Sequence, residues 1–151
     1  MPKTIISDTS CLIALTNIGS LEILHEVYGK VLITSEIVQE FGVSLPNWFE
    51  IENPKDLSRL NFLENQLDKG EASAIALALE IPDSLIIVDD EKARKLAEML
   101  NIEITGTLGV IIKAKNLGII NSIKPFLLKL KNVGFRISAE LEKEALSLTG
   151  E

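Results

Sequence analysis

The chain has 151 residues, of which 46% are hydrophobic, and this composition excludes a disordered chain. Its net charge of −7 argues against a simple basic nucleic-acid binder. The single cysteine, Cys11, cannot form an internal disulfide, and no apolar run reaches the roughly 18–20 residues of a membrane helix. The first residues also lack the long apolar segment of a signal peptide, so the sequence predicts a cytoplasmic protein.

The first half of the chain alternates short apolar segments with helical ones. Apolar, β-branched residues predict buried strands in "KTIIS" and "KVLIT". Cap residues and apolar spacing predict helices in "DTSCLIALTNIG", "SLEILHEVYG" and "SEIVQEFGV", with Ser20 as a cap of the second. The alternating segment "WFEIEN" predicts an edge strand, and Pro54 separates it from a helix in "KDLSRLNFLENQL".

The second half continues this alternation. The segment "DKGEASAIALALE" is apolar on nearly all sides, which predicts a buried helix. Two more buried strands are predicted in "SLIIV" and "IEIT", each followed by a helix, in "DEKARKLAEML" and "GTLGVIIKAKNLG". Two helices are predicted last, in "SIKPFLLKLKNVG" and "SAELEKEALSLTG". This order predicts one α/β domain over residues 1–151 with a mainly parallel sheet.

Acidic or hydroxyl side chains follow three of the predicted strands. Asp8 follows the first, Asp89 and Asp90 follow "LIIV", and Thr107 follows "IEIT" after one glycine. Sites in open parallel sheets form outside the carboxyl ends of the strands. If the three strands are neighbours, we expect these side chains to meet.

The adjacent aspartates of "LIIVDDEKARKLA" have three interpretations. One aspartate can cap the following helix, but capping does not need a second. A phosphate-acceptor site resembling that of receiver domains has a similar acidic pair, yet there the pair lies on the first strand. The third interpretation is a divalent-metal site, because Mg²⁺ and Mn²⁺ prefer carboxylate oxygens.

Four segments resemble, in order, characteristic blocks of the PIN domain family. They are "IISDTSCLIAL", "ITSEIVQEF", "LDKGEASAIALALE" and "LIIVDDEKARKLAEMLNIEITGTLGVIIKAKNLGII". Their order and spacing match over roughly residues 3–120, and "GEASAIALA", "VDDEKAR" and "TGTLGV" resemble a PIN-like subgroup often grouped with VapC-type toxins. The resemblance implies a three-layer α/β/α sandwich with a central, mainly parallel sheet.

The resemblance also implies a function, that of a divalent-metal-dependent endoribonuclease of a VapC-like toxin–antitoxin system. The implied Mg²⁺ or Mn²⁺ ligands are Asp8, Glu40, Glu71 and either Asp89 or Asp90, with Asp89 as the first choice and Asp90 as the helix cap. The residues expected to position water or phosphate are Ser10 and Thr107, and those expected to hold the substrate backbone are Lys113 and Lys115. The implied partners are RNA, a small antitoxin and a second copy of the chain. The sequence does not distinguish RNA from DNA as the substrate.

Two features depart from the family pattern: Glu71 stands where most PIN nucleases have Asp, and the fourth block has two adjacent aspartates. Glu71 and the overall acidity of the chain also support a rival interpretation. The rival is a non-catalytic PIN-like binding or regulatory module. Residues 105–139, which carry six Lys or Arg and no acid, form either a phosphate-contacting edge or a solvated helical face.

Overall fold

A computed structural model describes residues 3–151, and in that range the chain forms five strands and nine helices. The strands are β1 (Thr4–Ser7), β2 (Val31–Ile33), β3 (Phe49–Ile51), β4 (Ser84–Ile87) and β5 (Glu103–Thr105). The helices are α1 (Thr9–Asn17), α2 (Glu22–Tyr28), α3 (Ser35–Phe41), α4 (Leu57–Glu64), α5 (Lys69–Glu80), α6 (Glu91–Met99), α7 (Thr107–Asn116), α8 (Lys124–Asn132) and α9 (Ala139–Leu148). Each predicted strand and helix is present, with bounds that differ by a few residues.

The five strands form one sheet in the order β3-β2-β1-β4-β5, and every pair in it is parallel. Helices flank this sheet, so the predicted three-layer α/β/α architecture is confirmed. The middle strands are buried because apolar side chains occupy both of their faces: all of β2 and β4 is buried, and so is β1 apart from Thr4. β3 lies at one edge, as its alternating sequence predicts.

Two details of the sequence prediction were wrong. The segment "IEIT" was expected to be a buried strand, but β5 is the other edge of the sheet, and its residues are half-buried or exposed. An edge strand needs only one covered face, which explains its charged first residue, Glu103. Ser20 does not cap α2: the helix begins after Leu21, which makes no side-chain cap hydrogen bond.

The helix α5 is buried along most of its length, as its alanine-rich sequence predicts. The side chains of Ala72, Ala74, Ile75 and Ala76 have no exposed surface, because small residues let the helix lie close to its neighbours on several sides. It contacts α3, α4, β1 and β4. No helix within residues 3–151 combines the length and apolarity that crossing a bilayer requires.

The chain changes direction in the sheet between β1 and β4. From β1 it continues outward through β2 to β3, whereas β4 lies on the opposite side of β1 and continues to β5. The register places Ser7 beside Ile87 and Ile87 beside Thr105, and the Asp8 N–H donates to the Ile87 carbonyl at 3.0 Å. The carboxyl ends of β1, β4 and β5 therefore meet at a topological switch point, where such sheets form their ligand sites.

Candidate active site

Asp8 lies at the carboxyl end of β1 and is almost completely buried, with 1% of its surface exposed. Its Oδ1 accepts a hydrogen bond from the Cys11 N–H at 3.1 Å and so caps α1. Its Oδ2 is buried without a hydrogen-bond partner. Burial and, after it, the charge of Asp89 raise the pKa of Asp8 to about 8, against the hydrogen bond from Cys11. Capping explains one oxygen of this carboxyl group and leaves the other free for a ligand.

Asp89 lies two residues beyond β4 and is held by Thr107 at the start of α7. The Thr107 N–H donates to Oδ1 of Asp89 at 2.8 Å, and the Thr107 hydroxyl donates to Oδ2 at 2.5 Å. Thr107 is itself fully buried, so this orientation is rigid. Each carboxylate oxygen has two acceptor positions, and one on each remains available for a cation.

Two exposed aspartates at the same site cap helices. Asp90 caps α6 by accepting from the Ala93 N–H at 3.0 Å, which is the role that the sequence assigned to it. Asp68 caps α5 by accepting from the Glu71 N–H at 2.9 Å. With Asp8 at the start of α1, carboxylates begin three helices here, and the positive end of each helix dipole favours the negative charge.

The two glutamates of the predicted set lie on either side of the first turn of α5. Glu71 is half-buried, and burial, followed by the charges of Asp68 and Asp90, raises its pKa to about 7. Glu40, near the end of α3, has a raised pKa caused first by burial and then by Asp68. Its carboxylate lies against Gly70, where an added Cβ would overlap Oε1, so the glycine makes room for it.

All of these acids form one electrostatic cluster, because the charges of neighbouring acids raise the pKa values of Asp8 and Glu71. Asp8 interacts with Asp89 and Glu71, and Glu71 in turn with Asp90 and Glu40. Among residues 3–151, no lysine, arginine or histidine lies within salt-bridge distance of any of them. Such a cluster is electrostatically unfavourable unless protons or a cation neutralise it.

The acids converge without forming a closed coordination shell. Over the described part of the chain, no three carboxylate, histidine or cysteine side chains are grouped tightly enough to hold an ion together. Local hydrogen bonds explain this spacing, because Asp8, Asp89 and Asp90 each bond a nearby backbone N–H. The chemistry of the set still fits a divalent cation, since its donors are all hard carboxylate oxygens and one of them is buried and unpaired.

A cavity of about 950 Å³ opens beside the cluster. Ser10, exposed in the first turn of α1, lines it together with four acids of the cluster, Asp68, Glu71, Asp89 and Asp90. The buried Asp8 and the exposed Glu40 are not among the described residues that line it. The structure thus brings together Asp8, Glu40, Glu71, Asp89, Asp90, Ser10 and Thr107.

The two lysines expected to hold substrate point elsewhere. The Lys113 Nζ lies over the ring of Tyr28, 5.0 Å from its centroid, and Lys115 lies near enough to Glu151 to help lower the pKa of that residue. Neither lysine is among the described residues that line the cavity. They belong to faces of α7 directed away from the acids.

Two arginines and one aspartate of this site were missed by the sequence reasoning. Arg94 and Arg136 line the cavity, and Asp68 belongs to the acid cluster. Asp68 was interpreted only as a cap of α5, although its proximity to Glu71 in sequence was a usable signal. Arg94 looked like one of several surface charges on an amphipathic helix, and only the tertiary structure distinguishes it.

Gly106→Ala is expected to destabilise the fold by displacing Asp89. An added Cβ would lie 2.7 Å from Asp89 Oδ1 and 3.0 Å from Arg94 Nη1, so the carboxylate must shift, which weakens its two hydrogen bonds with Thr107. We expect a loss of about 1–3 kcal/mol in unfolding free energy, measured by urea titration.

A double-mutant cycle isolates this mechanism. Thr107→Val removes the hydroxyl that bonds Asp89, so the two substitutions disrupt the same contact and their combined effect is expected to fall short of their sum by at least about 0.5 kcal/mol. Additive effects would show that Gly106→Ala acts independently of Asp89.

The comparisons with known proteins bear on the whole described chain. A family model described as "DUF3368: PIN domain" matches residues 4–151. Among the curated proteins compared with the chain, none matches. The matched range contains every acid of the cluster and both arginines of the cavity.

Proposed function

Since a PIN-domain model matches residues 4–151, the chain belongs to the PIN domain family, and from this premise we propose that it is a divalent-metal-dependent endoribonuclease of the VapC-like type. PIN domains are generally nucleases that bind nucleic acid and typically use divalent metals. The observation that carries the proposal is the buried, unpaired Oδ2 of Asp8 within a cluster of acids that forms no salt bridge among residues 3–151.

We propose that four acids hold Mg²⁺ or Mn²⁺: Asp8, Glu40, Glu71 and Asp89. When bound, such an ion supplies an activated water and offsets charge on the phosphate oxygens. Neighbouring residues orient these ligands in different ways. Cys11 holds Oδ1 of Asp8 and leaves Oδ2 free, while Thr107 holds both oxygens of Asp89.

The remaining residues of the site have supporting roles in this proposal. Asp90 is occupied as the cap of α6, so it contributes negative charge to the cluster rather than a ligand. The Ser10 hydroxyl is exposed at the cavity and is available to a substrate phosphate or to water. Lys113 and Lys115, on α7, would contact the substrate backbone only where it extends beyond the cavity.

The biological setting is also proposed from the family resemblance. A VapC-like enzyme would act on RNA in the cytoplasm as the toxin of a toxin–antitoxin pair, with a small antitoxin as its inhibitor and a homodimer as its assembly. The proposal also takes residues 1–151 to be a single domain.

The test is cleavage of a mixed pool of structured and single-stranded RNAs, with single-stranded DNA in parallel, in Mg²⁺, Mn²⁺ or EDTA. We expect RNA cleavage that requires the ion. We also expect the ion to raise the melting temperature of the wild type, because a ligand at about 100 times its dissociation constant stabilises the folded state by about 2.7 kcal/mol. A folded protein that neither cleaves nor responds to either ion would refute the nuclease and support the non-catalytic binding module.

A further inference from the structure

The cavity beside the acids is also lined by arginine. Two of the three arginines in the chain, Arg94 and Arg136, line it, whereas no lysine does among the described lining residues. The third, Arg59, lies on α4 beside Asp56. Arginine differs from lysine in presenting a planar fork of N–H donors that matches two phosphate oxygens at once. The cavity therefore carries the cation suited to a phosphodiester chain.

Arg94 is held in place beside the acids but has no carboxylate partner. Its Nη1 donates to the Val88 carbonyl at 2.8 Å, at the point where β4 ends. Within residues 3–151 no carboxylate comes within salt-bridge distance of it, although Asp89 lies close by. One donor thus fixes the half-buried side chain, and the remaining donors are available to an anion in the cavity.

Arg136 reaches the cavity from the connection between α8 and α9. Gly134 has a φ of +90°, which turns the chain sharply at the end of α8. The Phe135 N–H then donates to the Leu130 carbonyl at 2.9 Å, and the half-buried Phe135 packs against the core. This turn presents the exposed Arg136 at a defined place, and it makes no salt bridge within the described residues.

The wall between the two arginines is partly apolar. Phe135, Leu108 and Ile112 line it, and so do Leu141 and Leu148 of α9, which keep 48% and 58% of their surface exposed. Apolar and aromatic side chains of this kind pack against the faces of unpaired bases, which are not accessible inside a duplex. A volume of about 950 Å³ is at the upper end for small-ligand sites.

We propose that Arg94 and Arg136 form a phosphate clamp for single-stranded nucleic acid, in which Arg94 binds the phosphate nearest the acids and Arg136 binds a neighbouring one. The base between them lies on the apolar wall. This inference deepens the proposed function, on which it rests for the identity of the strand, and it names the residues that contact the strand. Six acids also line the cavity and oppose the clamp electrostatically: Asp68, Glu71, Asp89, Asp90, Glu91 and Glu144. Glu91 and Glu144 lie outside the acid cluster.

The clamp is tested by measuring the affinity of the protein for a short fluorescein-labelled single-stranded RNA in EDTA. Fluorescence anisotropy gives this affinity over a range of salt concentrations. We expect Arg94→Ala and Arg136→Ala each to weaken binding by about tenfold or more. Each is also expected to reduce the slope of log affinity against log salt by about 0.7, which is the value for one lost phosphate contact on a single strand. The matching RNA duplex is expected to bind more weakly than the single strand.

Three further variants serve as controls. Arg59→Ala removes an arginine outside the cavity and should leave affinity and slope unchanged. Glu144→Gln removes an opposing charge and should strengthen binding. Arg94→Lys keeps the charge without the fork, so it should restore most of the slope but not the affinity. If Arg94→Ala fails to fold, the exposed Arg136 still provides the test.

The outcomes separate this proposal from the nuclease itself. Affinity and slope that do not differ between the cavity arginine variants and Arg59→Ala would overturn the clamp, and so would equal binding of the duplex. RNA cleavage with arginine-independent binding would leave the nuclease standing without the clamp. Arginine-dependent binding without any metal-dependent cleavage would leave the clamp standing and refute the nuclease.

Discussion

Asp8→Asn is expected to melt at a higher temperature than the wild type at pH 8 without metal, and at the same time to lose metal-dependent cleavage. Burial raises the pKa of Asp8 from 3.8 to about 8. Between those two values the folded state holds a proton that the unfolded state has released, so stability falls as the pH rises through this window. Asparagine removes that penalty while its Oδ1 keeps the hydrogen bond from Cys11.

The size of this effect follows from the pKa difference. Each pKa unit corresponds to about 1.4 kcal/mol, so the ionised Asp8 costs a few kcal/mol at pH 8. For a chain of this size each kcal/mol shifts the melting temperature by about 2–4 °C, and we expect an increase of several degrees. The difference should shrink towards pH 4, where the unfolded state also begins to bind this proton. Thermal melts from pH 4 to 8 in EDTA measure it.

Asp56→Asn is the matched control for Asp8→Asn. Asp56 also caps a helix through its Oδ1, but it is exposed and lies outside the cavity. Its replacement should leave both the pH dependence and the cleavage unchanged. Addition of Mg²⁺ or Mn²⁺ should stabilise the wild type and Asp56→Asn but not Asp8→Asn. A lower melting temperature of Asp8→Asn at every pH would contradict the role given to Asp8.

Asp89→Asn is expected to reduce cleavage more than about 100-fold, which exceeds the usual loss when a residue that only supports a metal ligand is replaced. Asp90→Asn should reduce cleavage less than about tenfold. At position 89 two donors of Thr107 face the carboxylate, and an asparagine can accept from only one of them. Its NH₂ group would face the Thr107 hydroxyl and can donate to it, so the side chain keeps its place but loses the negative charge and one oxygen that could bind a cation.

At position 90 the same change preserves the cap of α6, because asparagine and aspartate are comparable N-caps. We expect the unfolding free energy of Asp90→Asn to stay within about 0.5 kcal/mol of the wild type. Single-turnover cleavage assays and urea titrations of both variants decide the matter. If Asp90→Asn proves the more damaging to cleavage, the assignment of the two aspartates must be exchanged.

The order of the strands and helices could be predicted because their signals are local. The apolar, β-branched residues of "TIIS" and "SLII" indicate strands wherever they are placed, and Asp68 and Ser138 cap the helices that follow them, as their positions predict. The meeting of Asp8 with Asp89 needed one further assumption, that β1 and β4 are neighbours. The sheet confirms this assumption.

The rest could not be predicted because it depends on distances between segments far apart in sequence. The exposed position of β5 follows from its place at the sheet edge. Arg94 reaches the cavity because α6 packs beside β5, while Lys113 points towards Tyr28 because α7 packs on α2. Neither helix carries a local pattern that specifies its neighbour, so charge alone could not show that Arg94 and Arg136 line the cavity.

The helix caps at the acid cluster have an evolutionary consequence. Asp8, Asp68 and Asp90 each start a helix through one oxygen, and an asparagine can supply that oxygen equally well. A single substitution at Asp8, which is also a proposed metal ligand, can therefore silence the chemistry and keep the architecture. A lineage with this scaffold could exchange catalysis for pure recognition in a few steps, without passing through an unfolded intermediate sequence.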